Sequence, residues 1–349
     1  MPDFNFPYTD VELTEEVNRI PNNFGLLNAL NLAPREAMAS RYVRIDFRDG
    51  QLVVLAASDP GAPGQMSEAD DESGKILVIP HFPHLDAINV GDLSNALQVV
   101  NGELVSKTLD SETAKRLATI RAHHAITREY IRMGGLKGLV KDGKGRTLYD
   151  LFAVFGITKK VIDFTLGTAG TSILDKCEEV VDHVQTNLKG ESMSQIEVIT
   201  SPSFFGKLIQ HPNVEKYWLQ TQAAQALAKT ERERLGGNWG RVFEFGDILW
   251  REYKGTFPVR NSTGAITSEV TVASGYGHAY PAGTMNTFRT YDGPPNHIDR
   301  VNTPPSGDEE VFISTKILDH GQGVEFKSQS NSLAVWKQPK CLVEVKTSN

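Results

Sequence analysis

The sequence predicts an α+β fold, and three blocks of residue pattern predict it. An alternating apolar ribbon occupies residues 41–56, a long helical period fills residues 110–135, and the last forty residues return to short alternating runs. Residues 170–300 mix the two patterns and read as a separate α/β unit. At 349 residues the chain is long enough for large cores and more than one domain.

Residues 1–40 scatter Phe4, Phe6 and Tyr8 among prolines and acids, followed by NFGLLNALNLAP. Such an arm either lies on a partner subunit or folds back on its own domain. In RYVRIDFRDGQLVVLA, Val43, Ile45 and Phe47 alternate, Asp49-Gly50 supplies a turn, and Leu52 and Val54 alternate back. Ser58–Lys75 is rich in Gly, Pro and acids and has no period, so it is expected to be a mobile tip of a long ribbon, with the chain extended again at Ile76–Ile79. Asp110 is a good N-cap, and Leu117, Ile120 and His124 share one face of the helix that follows. Gly134-Gly135 is expected to end it, giving a strut of roughly 35 Å at ~1.5 Å per residue.

Beyond the strut, residues 136–156 read as a hairpin turning at Asp142-Gly143. Ser172–Leu188 is helical by period and Ile196–Thr200 is a short buried strand. Ser203 opens a helix that His211-Pro212 ends, and Gly275–Pro305 is loop-rich. VFISTKIL, GVEFKSQ, SLAVWKQ and CLVEVK read as one antiparallel meander.

Composition excludes several classes. With 40% hydrophobic and 23% charged residues the chain is globular, and a net charge of −7 argues against a dedicated nucleic-acid binder, though not against a wall that encloses nucleic acid. Cys177 and Cys341 make no disulfide framework and no zinc pair, which fits a reducing cytoplasm. The first residues resemble no signal peptide, and no apolar run approaches the ~20 residues that span a bilayer, so no membrane partner is expected.

Every candidate for chemistry has a blander explanation. Gly138–Lys144 has the spacing of a phosphate-binding GxxxxGK loop, but Gly145 stands where Ser or Thr must hold magnesium, and the segment follows a helix instead of opening one. A glycine-rich turn explains it. His81, His84 and Asp86 mimic a metal cluster, yet Pro80 and Pro83 break any helix that would align them, which favours a rigid prolyl connection with backbone-bonded histidines. His123 and His124 are adjacent on a helix and face different ways. No GxSxG elbow is present, the Asn261-Ser-Thr263 sequon is idle without a signal peptide, and the acidic run Glu68–Glu72 lacks calcium-loop spacing. Neither a catalytic residue nor a cofactor or metal site is expected.

The order of several weak motifs carries more information than any one of them. They are Ile79-Pro80-His81-Phe82; Arg128-Glu129-Tyr130 running into Gly134-Gly135-Leu136-Lys137-Gly138; Thr147–Phe152 with Phe155-Gly156; and Phe204-Phe205 with Leu208, His211-Pro212 and Tyr217. Phe243–Gly246, Gly277–Thr284, Val301–Thr303, Gln329–Leu333 and Pro339 complete the series. From about residue 41 onward this series resembles the major capsid protein E family of tailed bacteriophages, the lambda-like branch of the Hong Kong 97-type capsid fold. Tyr280, Gly135 and Ser332 stand where Phe, Ala and Pro are expected, and none of these departures removes a reactive group.

The resemblance implies a layout and a role. Residues 1–40 would be the N-terminal arm, 41–85 the E-loop overlapping a neighbour, 86–165 and 306–349 the peripheral domain with its spine helix, and 166–305 the axial domain. The function implied is a major capsid protein, self-assembling as homo-pentamers and homo-hexamers into an icosahedral virion shell around double-stranded DNA, assembled in the host cytoplasm. Decoration, scaffolding and portal proteins would be its partners, and the packaged DNA would be enclosed without sequence-specific contact. Phe4, Phe6, Tyr8, Arg41, Arg44, Arg48, Lys75 and Tyr280 are the expected subunit-contact residues. An encapsulin-like compartment of the same fold and a metal- or nucleotide-dependent hydrolase are the alternatives. Because the GxxxxGK loop lacks its hydroxyl residue, ATP should show no measurable binding in equilibrium dialysis, and Lys144→Ala should change nothing.

Overall fold

The computed structural model describes residues 6–20, 25–47, 73–93, 97–100, 103–106, 108–188, 191–220, 240–260, 263–285 and 287–349. Phe4, Arg48, the Asp49-Gly50 turn, Asn261, the acidic run and nearly all of Ser58–Lys75 lie outside these residues. The chain forms two compact units, one of residues 1–43, 78–132 and 290–334, the other of 44–77, 133–289 and 335–349. Helices and sheets are both present in quantity, as an α+β fold requires.

In the first unit, Phe82–Asn89, Gly323–Ser330 and Phe312–Ile317 form a three-stranded antiparallel sheet. The arm helix Asp10–Arg19 packs on it, opened by a capping box in which Thr9 accepts from the Glu12 amide and the Glu12 carboxylate accepts from the Thr9 amide. Its Leu13 and Val17 join Phe6, Ile88, Leu117, Ile120, Val324 and Phe326 in one core. The arm therefore folds back on its own subunit, one of the two options open to it. A short parallel strand, Arg35–Ala37, adds to Phe288–Asp292 with Ala37 opposite Asp292.

The long helix spans Leu109–Lys137, 29 residues or about 44 Å. It starts earlier than Asp110 because Thr108 and Ser111 exchange side-chain and backbone hydrogen bonds and form the cap. Gly134-Gly135 does not stop it. A Cβ on Gly134 would sit 3.0 Å from the Leu139 carbonyl oxygen and the Val140 Cα, so this glycine answers a close backbone approach. Gly138 does the stopping, with φ of +77° and the Phe152 ring where a side chain would project.

In the second unit, Leu139–Lys141 and Thr147–Asp150 make the expected hairpin, but Leu151–Phe155 is a helical turn. Asp150 caps it by accepting from the Ala153 amide at 3.1 Å, and Gly156 ends it in the left-handed region. The central sheet has the strand order Val242–Phe245, Ile248–Glu252, Gln195–Thr200, Tyr276–Ala282, Val343–Lys346, Lys160–Asp163. Helices Ile173–Asn187 and Pro202–Gln210 contribute Cys177, Val180, Val184, Phe204, Phe205 and Leu208 to the core on one face. His211 ends the second of these, and another helix, Pro212–Gln220, starts at once.

Two expectations are corrected here. Gly275–Pro305 contains a central strand: its glycine lets Thr200 and Val345 close in, since a Cβ on Gly277 would lie 2.8 and 2.9 Å from their methyl groups. The four terminal runs are all strands but belong to three sheets instead of one meander. Trp250 anchors the core of this unit, fully buried, stacked on Phe204 at 5.8 Å and edge-on to Phe164 at 5.5 Å. Trp250→Ala should cost about 3–5 kcal/mol in denaturant unfolding followed by circular dichroism. Ile266→Ala, on an exposed hairpin, should stay within about 0.5 kcal/mol.

Candidate functional site

The near-miss phosphate loop is already filled by its own side chain. Asp142 accepts from the backbone amides of Lys144 (2.9 Å) and Arg146 (2.8 Å) and from the Arg146 guanidinium (2.9 Å). Two amides of this turn are thus spent on a carboxylate; burial pulls its pKa up, and these hydrogen bonds with Arg146 outweigh that pull and hold it below the ordinary value.

The histidines do not make a metal centre. His81 precedes and His84 lies within a strand rather than a prolyl connection, because Phe82–Asn89 pairs along its length with Gly323–Ser330. His81 Nδ1 meets the Asn331 side chain at 2.7 Å, not the backbone. His84 stacks on His123 with ring centroids 4.9 Å apart. His124 is buried between the Ser330 and Ser328 hydroxyls at 2.9 and 3.0 Å. No group of three or more His, Cys, Asp or Glu side chains suited to a metal ion occurs among the described residues. Burial pushes the Cys177 and Cys341 thiols up to about 12, which removes the thiolate at neutral pH.

Buried ion pairs occur in both units. In the first unit Asp292 accepts from Arg128 at 2.7 and 3.0 Å and from Arg35 at 2.5 Å. Glu129 accepts from the amides of Leu27 (2.8 Å) and Asn28 (3.0 Å), beside Gly25, whose φ of +93° and missing Cβ make room for it. In the second unit Arg251 grips Glu197 at 3.0 and 3.2 Å, and the Tyr280 hydroxyl donates to the same carboxylate at 2.7 Å.

The expected contact residues divide in two. Phe6 and Tyr280 are interior side chains, Phe6 packed against Tyr8 and Phe326 and Tyr280 wholly buried, so burial within the subunit accounts for both. Tyr8 donates to Asp110 at 2.6 Å. Arg41 turns inward to the Ile79 carbonyl at 3.0 Å. Arg44 and Lys75 are exposed, on paired strands Tyr42–Phe47 and Ser73–Val78. Those strands bury Val43, Ile45 and Leu77 on one face and leave Tyr42 64%, Ile76 68% and Val78 40% exposed on the other. This apolar outer face was legible only as the other half of the Val43/Ile45 alternation. A second such face lies on the hairpin of Thr256–Arg260 and Ile266–Val270, where Ile266 and Val270 are exposed.

Residues 9–347 match the model of a family described as phage major capsid protein E. The chain belongs to that family. It is 30% identical to the major capsid protein of Pseudomonas phage KPP10, over 99% of this chain and 97% of that one. It is 27% identical to the major capsid protein of Salmonella phage Felix O1, over 96% and 95%. Among solved structures, a prophage protein of E. coli CFT073 superposes with a TM-score of 0.63 at 12% identity over 99% and 100% of the two chains. The capsid of Cyanophage P-SCSP1u gives 0.51 at 12% identity over 91% and 86%. The fold and the role that the sequence resembles are both those of a phage major capsid protein, with the Hong Kong 97-type architecture.

Asp292 of this capsid protein is held by guanidiniums from two remote segments. Asp292→Ala removes the bidentate acceptor of the buried Arg128 guanidinium and one acceptor of Arg35, and should cost about 3–5 kcal/mol by denaturant unfolding. Arg19→Ala, at an exposed pair with Glu15 and Glu16, should change stability by no more than about 0.5 kcal/mol.

Proposed function

We propose that this capsid protein builds a closed icosahedral shell of homo-pentamers and homo-hexamers around double-stranded DNA, held together without covalent cross-links. The observation that carries this reading is the ribbon's outer face: Tyr42, Ile76 and Val78 expose apolar surface beside the cationic Arg44. A neighbouring copy is the natural cover, since a chain of net charge −7 also offers acidic surface to the ribbon's cations, Arg44 and Lys75. In this reading residues 1–40 are the arm, 41–85 the overlapping loop, 86–165 and 306–349 the peripheral domain, and 166–305 the axial domain.

The protein acts as a wall and carries out no catalysis. Its charged side chains are spent on structural pairs, and the loop with phosphate-binding spacing is self-occupied. DNA is enclosed without sequence-specific contact, which suits a net negative chain. Decoration, scaffolding and portal proteins complete the particle, which assembles in the host cytoplasm and persists in the virion. Each contact adds little, at ~25 cal/mol per Å² of apolar burial, but a subunit leaves a closed shell only by breaking all of them at once.

Lys75 is the only lysine between Arg41 and His84, so an isopeptide bond along the ribbon has a single candidate. Boiled, reduced particles should therefore run as one band at 38.5 kDa on a denaturing gel. A ladder of multiples would disprove non-covalent assembly. Negative-stain microscopy of the expressed protein should show closed particles. Ile76→Asp, at an exposed position that costs the subunit nothing, should abolish them while the circular dichroism spectrum stays unchanged. Particles undiminished by that change would remove the ribbon from the interface.

A further inference from the structure

The long helix packs on its sheet through Leu117 and Ile120 and is tied to several elements of its unit by polar pairs. Arg116 reaches Asp86 at 3.0 Å and Asp92 at 3.3 Å, Arg121 reaches Glu310 at 2.8 Å, and Arg128 reaches Asp292 at 2.7 Å. Each of these is a carboxylate–guanidinium pair. Beside them sits a contact made of another chemistry. His84, on Phe82–Asn89, stacks on His123 of the helix at 4.9 Å and 26°, and meets His124 edge-on at 6.4 Å. His84 Nδ1 is buried without a hydrogen-bond partner among the described residues.

We propose that the His84–His123–His124 contact is an acid-sensitive latch, holding the middle of the long helix on its sheet at neutral pH and loosening it when the medium turns acid. Neutral imidazoles stack as flat rings; imidazoliums at the same spacing repel. The surrounding charges do not rescue them. On the strand, Asp86 favours a proton on His84 but is engaged by Arg116. On the helix, Arg121 and Arg128 oppose a proton on His124. From the strand Gly323–Ser330 the facing groups are the uncharged hydroxyls of Ser328 and Ser330.

Burial, and then His123, holds His84 below the ordinary histidine range, and burial with its neighbours brings His124 to about 3. The loosened state therefore binds protons more readily than the latched one. The latch is at full strength above the ordinary histidine pKa near 6.5 and weakens as pH falls below it. In mild acid His124, held at about 3, stays neutral, so His84 is the group whose protonation loosens the contact. The device lies within one chain and stands or falls independently of shell assembly.

Hydrogen exchange of the full-length protein at pH 7.5 and pH 5.0, corrected for intrinsic rates, tests it. Peptides from Leu109–Lys137 and Phe82–Asn89 should lose roughly tenfold in protection at pH 5.0, while the histidine-poor helix Pro202–Gln210 should hold within about twofold. His123→Gln, at an exposed site, removes the stack, so it should lower the neutral-pH protection of these peptides and abolish most of the further loss at pH 5.0, and His84→Gln gives the same reading from the strand side. Equal wild-type protection at both pH values would overturn the latch. So would a loss shared equally by all the helices, or an acid loss undiminished in His123→Gln; the wild-type comparison decides even if a variant fails to fold.

Discussion

Asp292 and the guanidiniums around it hold together parts of the first unit that are remote in sequence. Arg128 binds the carboxylate from the long helix, and Arg35 binds it from the short parallel strand. Arg35 also donates to the carbonyls of Gly307 and Glu309, while Arg121 joins Glu310 to the Ile20 carbonyl at 3.1 Å. Burial works to raise the pKa of Glu310, and Arg128, Arg121 and Arg132 outweigh it and keep the carboxyl ionised. Burying this much charge contributes little net stability, because desolvation offsets most of the attraction. What it supplies is registry: a misplaced strand or a slipped helix would strand a charge in the interior.

The same choice explains why a 29-residue helix has so weak an amphipathic signal. Its sheet-facing positions include Arg116, Arg121, His124, Glu129 and Arg132 among Leu117, Ile120 and Met133, so the apolar stripe is interrupted wherever a pair is made. The helix is held by partners that lie far away in the chain. Glu129, for example, is separated by 102 positions from the amide of Leu27 that it accepts from.

That distance marks the boundary of what the sequence could reveal. Local grammar was readable: the Val43/Ile45 alternation, the helical runs from Ser172 and Ser203, and the Asp142 turn. Long-range consequences were not. Gly134-Gly135 looks like a stop and is a packing site, because the backbone that approaches it comes from the chain's own return. Leu151–Phe155 looks like strand and is helix, because Asp150 caps it and Gly156 closes it. Phe6 and Tyr280 look like contact residues and are interior, because Phe326 and the Glu197–Arg251 pair claim them. For the candidate site, exposed ribbon residues were half legible from alternation, whereas the histidine contact joins three residues whose sequence neighbourhoods suggested two unrelated motifs.

The strand Val343–Lys346 lies inside the six-stranded sheet, antiparallel to Tyr276–Ala282 on one side and parallel to Lys160–Asp163 on the other. Lys160–Asp163, at the edge, has no other strand to pair with among those described. The sheet therefore cannot close until residue 346 has left the ribosome, and a strand made early must wait for one made some 180 residues later. This unit is a poor candidate for folding piecemeal during synthesis. A nascent capsid subunit would thus stay incomplete, and unfit to join its neighbours, until residue 346 has been made.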